Sequence, residues 1–234
     1  MGDERKSLQR GSSRQEIDQF LHQVAKTPSS GGTGGRLVFA LDATASREPT
    51  WDQACQLQSE MFEQTRSLGG LAVQLCYYRG FREFFASEWL RDTDRLLRQM
   101  NGVRCLGGHT QIGRLLSHVR DETRRQRLQA VVFIGDCVEE NVDDLCQLAG
   151  ELGLLSVPVF IFQEGNDLVA ARAFKQISRL SGGAYCRFDQ HSAQLLKELL
   201  GAVAVYASGG RKALEHFSRG RSEEVLRLTR QLRH

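Results

Sequence analysis

The chain has 234 residues, a formal net charge of +3 and 41% hydrophobic residues. These values are typical of one globular domain with short extensions, and they leave little room for a second domain. So small a net charge gives no global field that would favour nucleic acid. No run approaches the roughly 18 apolar residues of a membrane helix, and the N-terminus lacks the apolar stretch of a secretory signal. We therefore expect a cytoplasmic protein without a transmembrane segment and without a nucleic-acid partner.

The cysteines are scattered along the chain and form no CxxC pair, which is the spacing that most often marks zinc and redox sites. In a reducing compartment such residues are typically free thiols, most of them buried. The prediction covers Cys55, Cys76, Cys105, Cys137, Cys146 and Cys186.

Residues 1–35 are predicted to be an N-terminal extension with a short helix and a flexible linker. Ser13 and Glu16 have the spacing of a capping box. Apolar residues then recur at helical spacing: Ile17, Phe20, Leu21 and Val24. Residues 27–35 are rich in Gly and Ser and lack the Gly-Lys-Ser/Thr ending of a phosphate loop, so they are interpreted as a linker.

Apolar runs mark the strands of a domain that is predicted to span residues 36–207. The main runs are continuous rather than alternating, as expected for parallel strands that are buried on both faces: Leu37–Leu41, Leu71–Tyr78, Ala130–Ile134 and Val157–Phe162. A shorter strand is predicted at Tyr185–Phe188. Phe81–Phe85 is predicted to be an edge strand, paired with its predecessor through a tight turn at Arg79-Gly80.

Segments with helical periodicity separate these strands. They lie at residues 88–100, 111–125, 141–152, 167–180 and 192–207, with a further helix after Pro49. Strands that alternate with helices predict a doubly wound, Rossmann-like α/β fold. We expect a mostly parallel sheet with helices on both faces and one short antiparallel edge strand. Ligands of such sheets bind beyond the carboxyl ends of the strands.

Oxygen-bearing side chains cluster at the predicted strand ends. Asp42, Thr44 and Ser46 follow the first strand, Thr110 begins a predicted helix, and Asp136 follows the strand at 130–134. A parallel sheet brings these loops to one edge. Carboxylate and hydroxyl oxygens suit Mg²⁺, Mn²⁺ or Ca²⁺ better than copper or zinc, and Mg²⁺ takes about six oxygens, some of them from water.

The motif Asp42-x-Thr44-x-Ser46, followed by Thr110 and Asp136, resembles the metal-ion-dependent adhesion site of von Willebrand factor type A (VWA) domains. The resemblance covers residues 36–207 and includes Gly107-Gly108 and Ser181-Gly182-Gly183. The chain is similar to the small, cytosolic, stand-alone type of VWA-domain protein. The resemblance implies that these five residues hold a metal, with Mg²⁺ the expected ion. It also implies a non-enzymatic interaction module, in which an Asp or Glu of a partner protein completes the open coordination position.

Two departures from the family pattern concern the ligand loops. The family usually has Ser at the position of Thr44, and this change keeps the hydroxyl. The family strand usually ends Thr-Asp-Gly, whereas this chain has Gly135-Asp136-Cys137. The carboxylate is retained. Cys137 after it could be a redox-sensitive thiol, although a small buried thiol is the simpler interpretation.

The same residues have alternative interpretations in local structure. Asp42, Thr110 and Asp136 could each cap a following helix. His109 could contact the metal or a partner, or could simply be solvated. Glu139 and Glu140 could support the site, although an acidic first turn of the helix at 141 is the simpler interpretation.

Two further functions remain open at this point. One is a Mg²⁺-dependent phosphoryl-transfer or hydrolase enzyme with Asp42 as nucleophile. Such enzymes usually carry a second Asp two residues on and a downstream Lys, whereas here position 44 is Thr and no Lys lies between residues 27 and 174. The other is a nucleotide-binding protein, although no GxGxxG follows the first strand.

The basic extension at residues 208–234 is predicted to be helical. It is expected to dock on the domain or, as an alternative, to bind an acidic partner or a membrane surface.

Overall fold

The computed structural model describes residues 20, 23, 35–50, 71–188 and 201–207. Its strands are β1 (Arg36–Asp42), β2 (Ala72–Arg79), β3 (Glu83–Ala86), β4 (Ala130–Gly135), β5 (Val159–Glu164) and β6 (Tyr185–Phe188). They form one six-stranded sheet in the order β3-β2-β1-β4-β5-β6. Every neighbouring pair is parallel except β2 and β3, which are antiparallel. The predicted mostly parallel sheet with one antiparallel edge strand is confirmed.

The described helices follow the strands. A 3₁₀ helix spans Ala45–Thr50, and the α-helices are α1 (Thr93–Asn101), α2 (Ile112–Arg125), α3 (Val142–Leu154) and α4 (Leu168–Ser181), with a further helical segment at 201–207. Three of them begin at a side chain that accepts two backbone N–H groups: Asp92 for α1, Asn141 for α3 and Asp167 for α4. Helix α4 ends at Gly182, whose φ of 77° is left-handed.

Two apolar cores lie on opposite faces of the sheet. Helices α2, α3 and α4 pack on one face with Val38 of β1, and α1, Phe20 and the segment 201–207 pack on the other with Phe39. All residues of β1 and β4 are buried. The continuous apolar pattern of these strands reflects this burial on both faces, and the prediction of helices on both faces is confirmed.

The edge of the sheet differs in detail from the prediction. Strand β3 begins at Glu83 rather than at Phe81, because the turn extends to residue 82 with Gly80 at a φ of 59°. Phe81 lies in this turn and is 76% exposed. Helix α1 begins at Thr93, because Leu90 still pairs with Val73 in an isolated bridge.

Several predictions lie outside the described residues. They are the capping box at Ser13 and Glu16, the linker up to residue 34, the helix after residue 50, the start of the helix at 192 and the extension at 208–234. The domain limits 36 and 207 remain predictions. None of the described helices has the length and apolarity that crossing a membrane requires.

The strand order determines where in the sheet the candidate site lies. Strands β1 and β4 are neighbours in the middle of the sheet, and the chain leaves β1 toward β2 on one side and β4 toward β5 on the other. This is the point at which the strand order reverses, where a crevice opens beyond the carboxyl ends. Asp42 is the last residue of β1, and Asp136 directly follows β4.

Candidate metal centre

The loop after β1 begins at Asp42, which is completely buried. Its Oδ1 accepts hydrogen bonds from the backbone N–H of Thr44 at 2.8 Å and from the Thr44 hydroxyl at 2.6 Å. The hydroxyl of Tyr78 donates to Oδ2 at 2.9 Å. Thr44 Oγ1 in turn lies 3.1 Å from Oγ of Ser46, a solvent-exposed residue. The oxygens of these three loop residues therefore form one chain from the interior to the surface.

The carboxylate of Asp136 faces that of Asp42. One oxygen of each, together with Sγ of Cys137, lie within 4.8 Å of one another. Oδ1 of Asp136 is buried and has no hydrogen-bond partner among the described residues. A buried carboxylate oxygen without a partner is costly, and a cation shared with Asp42 would remove this cost. The structure thus brings together the two carboxylates that the sequence places 94 residues apart.

Thr110 is held against the loop that carries Asp136. The backbone N–H of Glu139 donates to Thr110 Oγ1 at 3.1 Å, and the N–H of Thr110 donates to Glu139 Oε2 at 2.9 Å. The N–H of Leu106 donates to the carbonyl of Ala43 at 3.0 Å. All three predicted ligand loops are therefore connected to one another by hydrogen bonds.

Glu140 fills the N-terminus of α2. Its Oε2 accepts the N–H of Ile112 at 2.6 Å, and its Oε1 accepts the N–H of Gly113 at 2.8 Å. The expectation that Glu139 and Glu140 form the first turn of their own helix is wrong, because α3 begins after Asn141. The sequence holds only an indirect signal, because Gln is not among the residue types that favour an N-cap position, and Gln111 at the N-cap of α2 makes no side-chain cap hydrogen bond.

Thr110 and Asp136 do not cap the helices that follow them. Helix α2 has Gln111 at its N-cap, not Thr110, and α3 has Asn141, not Asp136. Asp42 accepts hydrogen bonds from residues of its own loop and of β2. Helix capping therefore does not explain the positions of Thr110 and Asp136.

Arg47 is a buried charge that the sequence analysis missed. It is 1% exposed, and its Nη1 donates to the carbonyl oxygens of Asp42 at 3.0 Å and Ile134 at 3.5 Å. Its Nε and Nη2 lie 3.0 and 2.9 Å from Oε2 of Glu164. Arg47 therefore links the carboxyl ends of β1, β4 and β5 directly beneath the site.

Burial and mutual repulsion shape the electrostatics of the centre. Burial raises the pKa of Asp42, the hydrogen bonds from Thr44 and Tyr78 oppose this rise, and the charge of Asp136 adds to it. Burial and the carboxylates of Asp136 and Asp42 raise the pKa of Cys137 to about 12. Both shifts show that the site disfavours further negative charge. A divalent cation would reverse this balance.

His109 lies at the rim of the centre, and its side chain is 66% exposed. Its Nδ1 lies 3.3 Å from Oε2 of Glu139, and its ring meets that of Phe81 edge-on at 5.6 Å between centroids. The loop before it approaches the β2–β3 turn closely, since a Cβ on Gly108 would lie 1.9 Å from the carbonyl oxygen of Gly80. His109 is thus an exposed side chain that contacts Glu139 and Phe81.

The donor set suits a divalent cation. Asp42 and Asp136 carry the two facing carboxylates, and the hydroxyls of Thr44 and Ser46 continue from Asp42. The hydroxyl of Thr110 is hydrogen-bonded to the loop that follows Asp136, and Oδ1 of Asp136 has no hydrogen-bond partner among the described residues. Carboxylates and hydroxyls in this arrangement are typical ligands of hard cations, directly or through water.

No protein-family model and no curated protein matches this sequence. Several solved structures, in contrast, are similar to this structure. A VWA protein from Catenulispora acidiphila aligns with a TM-score of 0.60 at 13% identity over 75% of this chain and 44% of its own. The SpRpn10 VWA domain aligns with a TM-score of 0.56 at 16% identity over 72% of this chain and 94% of its own.

A third solved structure is proximal thread matrix protein 1 from the mussel byssus, described with a zinc-occupied metal-ion-dependent adhesion site. It aligns with a TM-score of 0.57 at 13% identity over 78% of this chain and 46% of its own. At such identities the likeness shows the fold. Together with the six-stranded sheet, it shows that this chain is a protein with the fold of a von Willebrand factor type A domain.

Proposed function

We propose that this protein is a cytoplasmic, non-enzymatic interaction module that binds a divalent cation and, through it, a partner protein. Asp42, Thr44, Ser46, Thr110 and Asp136 hold the ion, directly or through water. Mg²⁺ is the expected ion, and Mn²⁺ or Ca²⁺ suits the same oxygens. An Asp or Glu of the partner completes the open coordination position.

One observation carries this proposal. A buried carboxylate oxygen of Asp136 has no hydrogen-bond partner among the described residues, and the Asp136 carboxylate faces that of the fully buried Asp42. The zinc-occupied site of the mussel protein supports the idea that this fold can hold a metal.

The surface around the centre suits a protein partner. Ser46 and His109 are exposed beside it. Phe81 and Leu106 are 76% and 51% exposed, and the backbone N–H of Gly80, next to Phe81, donates to the carbonyl of Leu106 at 3.2 Å. We define Phe81, Leu106 and His109 as the rim of the centre. A carboxylate on the metal would place the rest of the partner over this partly apolar surface.

Metal binding is tested by calorimetric titration of Mg²⁺ and Mn²⁺ into the wild-type protein and two variants, Asp42→Asn and Asp136→Asn. We expect uptake by the wild type and its loss in both variants. Asp94→Asn, a change of an exposed residue in the first turn of α1, is the matched control and should bind as the wild type does. Absence of uptake by the wild type at millimolar concentrations would refute the metal centre.

Partner binding is tested by affinity capture in Mg²⁺ and in EDTA, with wild-type and Asp42→Ala protein as baits, read by mass spectrometry. Proteins retained only by the wild type in Mg²⁺ are the expected result. Retention that is insensitive to both changes would contradict the carboxylate mechanism.

The enzymatic alternative is tested with a panel of phosphate esters and Mg²⁺. Both oxygens of Asp42 already accept hydrogen bonds, and residue 44 is Thr, so we expect no turnover. Turnover that Asp42→Asn abolishes would replace the proposed function by a phosphoryl-transfer or hydrolase activity.

A further inference from the structure

We propose that Cys137 supplies a sulfur ligand to the metal centre and that the centre therefore selects Zn²⁺ over Mg²⁺. This inference rests on the proposed metal centre and specifies the ion that the centre takes. It concerns the one position at which the loop after β4 exchanges the usual Gly for a side chain with a donor atom.

The geometry brings the sulfur to the carboxylates. Sγ of Cys137 and one oxygen each of Asp42 and Asp136 lie within 4.8 Å of one another. In a tetrahedral zinc site, Zn–S of about 2.3 Å and Zn–O of about 2.1 Å place sulfur and oxygen about 3.6 Å apart. The sulfur would therefore have to approach each oxygen by about 1.2 Å at most, and the two oxygens would have to approach each other by about 1.4 Å at most.

The unsatisfied oxygen of Asp136 is an independent observation at the same point. It is buried and has no hydrogen-bond partner among the described residues, so this oxygen has a free acceptor position beside the Asp42 carboxylate and the thiol. Two carboxylates and one thiolate are three protein ligands, and zinc sites with three protein ligands keep a fourth position for water or another molecule. The partner carboxylate of the proposed function would fit this fourth position.

The thiol of Cys137 lies beside two carboxylates, whereas three other described cysteines have different surroundings. Cys76 and Cys186 are buried in the two apolar cores, and the thiol of Cys146 on α3 donates to Oε1 of Gln176. Among the described residues, the one group of acidic, thiol and imidazole side chains arranged to hold an ion contains Cys137.

The chemistry of binding is a metal-for-proton exchange. Zn²⁺ forms a bond to Sγ of Cys137, the S–H bond breaks, and the proton leaves to solvent, with no change of oxidation state. A thiolate is a soft ligand that favours Zn²⁺ and is a poor ligand for Mg²⁺. Mg²⁺ would therefore use only the oxygens, whereas Zn²⁺ would gain the sulfur.

The test uses Co²⁺ as a spectroscopic substitute for Zn²⁺, with a phosphine reductant present. We expect the wild type to show a thiolate-to-cobalt charge-transfer band in the near ultraviolet, which Zn²⁺ abolishes when added. Cys137→Ser and Cys137→Ala should lose the band, and the control Cys146→Ser should keep it. Zinc affinity, measured by competition with a chromophoric chelator, should fall by about tenfold or more in both Cys137 variants. The Mg²⁺ affinity of Cys137→Ala should stay that of the wild type, because this change removes a sulfur that Mg²⁺ does not use and adds no oxygen.

The outcomes separate this inference from the proposed function. Mg²⁺ uptake by the wild type without a cobalt–thiolate band, or a band that survives in folded Cys137→Ser and Cys137→Ala, would overturn the sulfur ligand and leave the proposed function intact. Uptake of neither Mg²⁺ nor Zn²⁺ by the wild type would overturn both. Circular dichroism establishes whether each variant is folded. Because the two substitutions differ in polarity, at least one of them should fold, and one folded variant is enough to test the sulfur ligand.

Discussion

Arg47 lies in the interior directly beneath the candidate metal centre. Its guanidinium contacts the carbonyl oxygens of two neighbouring strands, and it is paired with Glu164, whose side chain is 12% exposed. Because the charge of Arg47 is paired with Glu164, it does not neutralise the carboxylate of Asp136. Its role is to hold the ends of β1, β4 and β5 at fixed positions.

We predict that Arg47→Met lowers the free energy of unfolding by about 3 kcal/mol, because it leaves Glu164 and two strand-end carbonyls without their buried partner. Urea denaturation measures this loss. Arg124→Met, a change of a largely exposed Arg on α2, is the control and should change stability by less than about 0.5 kcal/mol. Equal effects of the two substitutions would show that Arg47 has no such role.

Metal affinity should depend on pH through Asp42. Because burial raises the pKa of this carboxyl, a proton competes with the metal at a higher pH than for an ordinary Asp. Affinity should be constant above the raised pKa and should fall as the pH is lowered through it. Calorimetric Mg²⁺ titrations from about pH 7.5 to about pH 5 follow this change.

The variant Tyr78→Phe tests the cause of this pH dependence. The hydrogen bond from Tyr78 lowers the pKa of Asp42, so its removal should raise that pKa further and move the loss of Mg²⁺ affinity to higher pH. An unchanged pH profile, or affinity that rises on acidification, would contradict the assignment to Asp42.

At the scale of the elements, the loop between β4 and α3 organises its neighbours. Glu139 binds the Thr110 loop, and Glu140 accepts two N–H groups at the N-terminus of α2. A carboxylate at this end of a helix also interacts favourably with the helix dipole. One short acidic segment thus fixes both the candidate ligand Thr110 and the helix that follows it.

We predict that Glu140→Ala lowers the free energy of unfolding by about 2 kcal/mol, because two backbone N–H groups lose their acceptor. Asn141→Ala, which removes the ordinary cap of α3, is the comparison and should cost about 1 kcal/mol. Urea denaturation gives both values.

Hydrogen exchange distinguishes these two effects. Glu140→Ala should accelerate exchange of the amides of Ile112 and Gly113, and Asn141→Ala should leave them protected. If Glu140→Ala leaves these two amides as protected as in the wild type, the capping contact does not contribute in solution.

At the scale of the whole molecule, the strand order determines which surface a partner meets. The rim of the centre, Phe81, Leu106 and His109, lies on the loops beside the ligand residues. Leu154 is 89% exposed at the far end of α3, which is about 20 Å from the start of that helix. The protein therefore offers an exposed apolar residue near the site and a comparable one remote from it.

We predict that Phe81→Ser weakens binding of a captured partner about tenfold, because a large side chain loses its contact with the partner. Mg²⁺ affinity should not change, since Phe81 is not a ligand. Leu154→Ser removes a comparably exposed apolar residue and should leave partner affinity unchanged. Partner binding to immobilised protein measures both. Equal effects of the two substitutions would exclude the rim as the contact surface.

The fold and the location of the candidate site could be predicted because their signals are local. Strands that are buried on both faces have continuous apolar sequences. The carboxylates of Asp42 and Asp136 directly follow two such apolar runs. The predicted strand boundaries were less accurate at the edge of the sheet. There Gly80 allows a longer turn, which leaves Phe81 exposed. The ligand roles of the five site residues and the domain limits remain predictions.

Other features depended on contacts between distant parts of the chain. Arg47 is paired with a carboxylate 117 residues away, and Glu140 fills a helix end 28 residues before it. A charged residue in a polar loop has the same local pattern whether it is solvated or buried. Residue types and their periodicity therefore predicted the sheet and the carboxylates at its edge. Only the packing of the loops determined that Arg47 is buried, that Glu140 caps α2 and that the thiol of Cys137 faces Asp42, because each depends on a partner that the local sequence does not contain.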